Sequence, residues 1–164
     1  MTATGAVDIK VNVLGEMQLA RRLQGRMRAS SDLSPAFERI ADVFFGTQKR
    51  IFDAEGGFEG NPKWAPLTPA YAERKARTHP GAKILTRSGK LRAVLTGGSG
   101  SIREIDPLRM AVGGSVIVGK WDLGSLHQTG TRKMKARKVI NLTRPFRRRV
   151  MREFGEHFRR EGRD

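Results

Sequence analysis

The chain has 164 residues, 38% of them hydrophobic and 29% charged, enough for one buried core with a large polar surface around it. Its 32 Lys and Arg outweigh 16 Asp and Glu, giving a formal net charge of +16, and it has no cysteine. Disulfides, thiolate zinc sites, iron–sulfur ligation and cysteine nucleophiles are thereby excluded, and no run approaches the roughly 20 apolar residues of a membrane-spanning helix.

The opening MTATGAVDIK lacks the basic start and apolar run of a signal peptide, so a cytoplasmic protein is expected. Val7, Ile9, Val11 and Val13 alternate with Asp8, Lys10 and Asn12, the period-two pattern of a strand with one buried face. After Gly15, Met17, Ala20, Leu23 and Met27 recur at helical spacing, which predicts a short amphipathic helix with Arg21, Arg22, Arg26 and Arg28 turned to water. Ser34-Pro35 reads as the capped start of a long helix. Its apolar face is Phe37, Ile40, Ala41, Phe44, Phe45, Ile51 and Phe52, and Gly56-Gly57 ends it. This is the expected central core helix.

Residues 55–66, EGGFEGNPKWAP, hold glycines and prolines that rule out regular structure and predict a mobile loop. Thr68-Pro69 repeats the cap-and-proline start and opens a short helix that breaks before His79-Pro80-Gly81. Residues 84–96 read as an apolar turn and then a helix with Leu91, Val94 and Leu95 inward, and residues 97–100 as a second mobile loop. Strands are expected over residues 101–106, 109–112 and 116–118 in a meander or hairpin. A short helix over 121–129, an extended piece over 136–142 and a final helix over 143–160 complete the chain. In that last helix Phe146, Val150, Phe154 and Phe158 stand at four-residue intervals among many arginines.

The charge is unevenly placed. Residues 1–60 carry eight basic and eight acidic side chains, residues 61–130 eleven and four, and residues 131–164 thirteen and four. Such a surface repels itself unless something acidic screens it, so nucleic acid, an acidic protein surface or an anionic membrane is the expected neighbour. Catalysis is not expected. His79, His127 and His157 lie on different elements with no metal-ligand spacing, and Ser88-Gly89-Lys90-Leu91 lacks the upstream glycine and following hydroxyl of a phosphate loop. No cofactor or metal site is therefore assigned. The aromatics among the C-terminal arginines fall at core spacing rather than as a stacking platform, and no nucleic-acid reader motif accompanies them, which favours an acidic protein partner.

The stretch from Trp64 to Arg92, WAPLTPAYAERK followed by ILTRSGKLR, resembles the virion morphogenesis or tail completion family of tailed bacteriophages, Mu-like phages among them. The family pattern is W-x-P-L-[ST]-P, a helix with a basic end, L-x-[RK]-[ST]-G-x-L-R and a later H-Q-x-G, matched here by His127-Gln128-Thr129-Gly130. After Gly130 the likeness weakens: in place of an ARPF-like segment the chain reads Lys135-Ala136-Arg137-Lys138-Val139, and Arg144-Pro145-Phe146 comes only later.

The resemblance implies a small α+β structural protein of the virion neck, assembled in the host cytoplasm, which completes the tail and joins it to the filled head as a ring, with six copies expected. Its partners would be further copies of itself, the head-tail connector or adaptor proteins, and the tail tube or terminator protein, with non-specific contact to packaged double-stranded DNA and none to membrane. A tail terminator and a basic nucleic-acid-binding protein unrelated to virions are the alternatives. The expected architecture is a single domain over residues 1–164, with the long helix and the amphipathic helices on a small, mostly antiparallel sheet and a basic helix and tail over 143–164. Trp64, Pro66 and Leu67 are candidate interface residues, Trp64 being either a subunit anchor or a buried local latch. Arg87 and Arg92 either meet an acidic neighbour or solubilise a helix. His127 and Gln128 are expected to make structural hydrogen bonds, and Arg147, Arg148, Arg149 and Arg152 form the candidate docking face of the last helix.

Overall fold

Residues 16–132 and 134–161 are described by the computed structural model, and the strand expected over residues 7–13 lies outside them. In chain order the elements are α1 (Glu16–Ser31), α2 (Ser34–Asp53), α3 (Pro69–Thr78), α4 (Lys90–Leu95), β1 (Ile102–Asp106), β2 (Arg109–Gly113), β3 (Ile117–Val118), β4 (Trp121–Asp122), α5 (Leu123–Thr129) and α6 (Arg144–Glu161). The fold is α+β, as expected, but its strands form two separate antiparallel hairpins, β1–β2 and β3–β4, rather than one sheet. In the first, Ile102 faces Gly113 and Asp106 faces Arg109. Gly113 and Gly114 then take φ of +134° and +152°, a region L side chains avoid. The chain turns away there, so β3 pairs with β4 and not with β2.

The long helix α2 organises the rest. Its start differs in detail from the expected cap: the Ser34 hydroxyl makes no cap bond, and Asp32 Oδ1 instead accepts from the Ser34 N–H at 2.9 Å. The Ser34 side chain, and then this N–H, hold the Asp32 carboxyl below its ordinary value by hydrogen bonding to it. At the far end Gly56, at φ +91°, lets its N–H return to Ile51 O at 2.9 Å and close the helix. A Cβ on Gly56 would lie 2.4 Å from Pro62 O, so glycine is required there.

Two apolar clusters share α2. Along its first half, Ala41, Phe44 and Phe45 pack with Phe146 of α6 and with the half-buried Ile105, Met110 and Val112 of the β1–β2 hairpin. Phe44 meets Phe146 and Phe37 meets Phe154 edge to face, at 6.4 and 6.0 Å between ring centres. Arg39 Nε donates to Glu153 Oε2 at 3.1 Å, and Arg103 on β1 clamps Glu38 and Asp42, one helical turn apart on α2. Along its second half, Ile51 and Phe52 pack with Trp64, Leu91, Val94, Leu95, Val116 and Val139.

One helix buries a different face from the one its apolar spacing predicts, and the stripe of another drifts as four-residue intervals require. On α1, Leu23 and Met27 are 51% and 72% exposed, and the small residues Gly25 and Ala29 are buried instead where the helix meets α6. On α6 the aromatic stripe drifts off the core. At about 100° per residue, four-residue steps carry Phe158 about 120° away from Phe146, while His157 returns to within about 20° of it. His157 is accordingly buried, with Nε2 3.0 Å from Ala29 O, and Phe158 is 38% exposed.

Candidate functional site

The loop after α2 folds back so that Trp64 enters the second cluster, 4% exposed, its ring edge-to-face with Phe52 at 5.2 Å. Its indole Nε1–H donates to Lys138 O at 2.9 Å. Trp64 is therefore the buried latch of the two roles foreseen for it and not a surface anchor. A ring this large, buried, needs its one polar atom satisfied, and that need recruits the 137–140 segment to the W-x-P-L loop.

Arg137 completes the join. Its Nε donates to Ala65 O at 2.8 Å and its Nη2 to Pro66 O at 3.0 Å, while its backbone N–H donates to His127 O at 2.7 Å. Gln128 clips the same segment: Oε1 accepts from the N–H groups of Val139 and Ile140 at 2.9 and 3.1 Å, and Nε2 donates to Ile140 O at 2.8 Å. The structural role expected for Gln128 is thus seen directly. Gly130 takes φ +76°, and a Cβ there would stand 2.7 Å from Ala136 N, so the glycine of H-Q-x-G permits the close return of the chain. Gly89, between Ser88 and Lys90, is at φ +71° and admits the turn into α4.

These ties bring the W-x-P-L, R-S-G-K-L-R and H-Q-x-G elements to the walls of one cleft of about 880 Å³. Leu67, Leu85, Leu91, Leu123 and Met134 give it an apolar lining, and Lys75, Arg87, His127, Arg132, Lys135 and Arg137 give it cations and a titratable ring. Among the described residues no aspartate or glutamate lines it. Lys75 and Arg137, both buried, were not singled out by sequence, because a lysine or arginine on a short amphipathic element reads as solvated. Lys75 Nζ donates to Lys83 O, so backbone carbonyls hold both cations in place. Burial pushes the Lys75 ammonium down from its ordinary value, with nearby Glu55 opposing the shift, and burial likewise lowers Arg137. Burial, and then the charge of Arg137, lowers the pKa of His127, whose buried Nδ1 has no hydrogen-bond partner.

The other predicted site residues separate into two groups. Pro66 and Arg87 are exposed at the cleft, and Leu67 is half-buried there. Arg92 faces away and pairs with Asp53 at 2.6 Å, which resolves its foreseen roles in favour of an internal acidic neighbour. On α6, Arg147, Arg148 and Arg152 are exposed, whereas Arg149 is half-buried and paired with Glu59 on the loop after α2. An aromatic that reaches the surface is Trp121, 54% exposed on the β3–β4 hairpin beside the exposed Ile117 and Val118, with Lys120 Nζ 5.5 Å from its ring centre. The glycine between Val118 and Trp121 was the available signal, since it marks the turn that presents the ring.

The carboxylates are largely occupied within the chain. Glu38, Asp42, Asp53, Glu59, Glu73, Glu104, Glu153 and Glu156 each lie within ion-pair distance of an arginine. Asp32, Glu55 and Asp122 accept from backbone N–H groups. Cations left facing outward lie at the cleft, on the outer face of α6 and on α1, where Arg21, Arg22, Arg26 and Arg28 are exposed. Among the described residues no group of three His, Cys, Asp or Glu side chains is placed to hold a metal ion, and no helix is long and apolar enough to cross a membrane.

Fold and site define a small α+β protein whose recurring sequence elements close around a cationic cleft. The chain belongs to the Phage virion morphogenesis family, whose model matches residues 15–161. The match runs past Gly130 through α6, so the likeness extends further than the motifs alone indicated. Among curated proteins and among solved structures, none matches the chain.

Proposed function

We propose that this phage morphogenesis protein is a tail completion or head-tail joining subunit of the neck, which works without catalysis by closing into a ring and docking that ring onto its neighbours. The observation that supports the reading is the division of charge: most carboxylates are neutralised inside the chain, while cations are presented outward on α1, on α6 and in the cleft. Long-range steering toward acidic surfaces is the expected consequence. Connector or adaptor proteins on one side, the tail tube or terminator on the other, and the DNA passing between them would meet this surface.

Closure of a ring requires two different patches per subunit that fit one another by rotation. Two exposed apolar patches support it: Leu23 and Met27 on α1, and Ile117, Val118 and Trp121 on the β3–β4 hairpin. Six copies are the expected number.

Electron microscopy of lysates from a phage lacking the protein tests the assignment. Full heads lying beside finished tails of normal length are expected. Tails of uncontrolled length would make the protein a terminator instead, and normal joined particles would sink both readings.

A further inference from the structure

We propose that the cleft is a receptor for an acidic, leucine-rich peptide segment of a partner protein other than this chain. The inference rests on the docking reading above and names the chemistry of the docked segment. Its warrant is the composition and shape of the cleft. Cations, with no aspartate or glutamate among the described lining residues, surround an apolar floor containing Leu67, Leu91 and Met134, and the volume, about 880 Å³, suits several side chains of an extended segment. A concave site with low-dielectric walls strengthens the field of its cations. The buried Arg137, held by Ala65 O and Pro66 O, keeps a fixed positive charge at the wall.

The apolar floor argues against duplex DNA, whose phosphates engage convex or grooved basic surfaces and gain nothing from leucine side chains. The exposed arginine face of α6 suits that contact better. A second copy of the chain is disfavoured because its carboxylates are already in ion pairs or accept backbone N–H groups, leaving few to offer.

The test uses the full chain and a fluorescent synthetic peptide of alternating glutamate and leucine, with polyglutamate and a short DNA duplex as competitors. Saturable binding is expected, weakened about tenfold by the paired change Arg87→Glu and Lys135→Glu, the size expected for two partly exposed charge pairs. Both residues are exposed, and an unchanged circular dichroism spectrum and melting temperature would show that the fold is intact. The pair Arg147→Glu and Arg148→Glu on α6 should leave peptide binding unchanged. Absence of binding, equal binding to polyglutamate, displacement by duplex DNA, or self-association lost with the cleft changes would each overturn the proposal. None of these outcomes bears on whether the protein joins heads to tails, which the particle phenotype reads separately.

Discussion

Trp64 and His127 show how much depends on single polar atoms behind the cleft. Trp64 contributes a large buried ring and one hydrogen bond to Lys138 O. Trp64→Phe should therefore cost about 1–2 kcal/mol, chiefly the lost bond and the carbonyl it leaves. Trp64→Ala should cost about 3–5 kcal/mol because it also opens a cavity against Phe52. Denaturant titration of the two variants measures the difference, and a Trp64→Phe variant as stable as the parent would show that the indole N–H does not hold the 137–140 segment. His127 adds a pH dependence. Its pKa is lowered in the fold by burial and by Arg137, so the unfolded chain takes up a proton that the folded chain resists. Stability is then unaffected by this group above about pH 7 and falls as pH drops below the unfolded value of about 6.5. The melting temperature of the parent protein should fall more steeply between about pH 7 and pH 5 than that of His127→Gln. Parallel curves would exclude His127 as the cause.

At the scale of elements, α6 is both a core helix and a charged face, and its two roles can be pulled apart. Phe146 is buried against Phe44, whereas Phe158 has rotated to the surface. Phe146→Ala should cost about 3–5 kcal/mol, and Phe158→Ala only about 0.5 kcal/mol. Comparable losses by thermal unfolding would contradict the drift of the stripe. Removing α6 entirely would expose α2 and unfold the first cluster, so charge reversal at Arg147, Arg148 and Arg152 is the cleaner probe of docking. Periodicity made most elements legible: α2, α3, α4, α6 and the β1–β2 hairpin lie where spacing, prolines and glycines place them. It found the helix α1 but misjudged its buried face, because Leu23 and Met27 are exposed and the small Gly25 and Ala29 are buried instead. It also joined Trp121 to the helix of residues 121–129. In the fold β4 takes Trp121 and Asp122, and Asp122 Oδ1 caps α5 by accepting from Gly124 N–H at 2.9 Å.

For the molecule as a whole, motif order and net charge were readable in the sequence, but the cleft was not. Its walls come in part from segments about seventy residues apart, joined by hydrogen bonds from Trp64 and Arg137, and Gln128 ties in Val139 and Ile140 from nearer by; no local pattern announces these bonds. The same closure explains why W-x-P-L, R-S-G-K-L-R and H-Q-x-G occur together: they build one cleft, and two of their glycines adopt conformations that other residues strain to reach. The net charge of +16 also gains a location: most carboxylates are used internally, and outward cations lie on α1, on α6 and at the cleft.

Complementation of a phage lacking this protein with a charge-reversed but folded variant tests the central claim most directly. The variant carries Arg87→Glu and Lys135→Glu with Arg147→Glu and Arg148→Glu, and electron microscopy of the lysate supplies the readout. Separate full heads and finished tails, with the variant protein stable and absent from both, are the predicted result. Joined, infectious particles in normal yield would contradict docking through these basic surfaces.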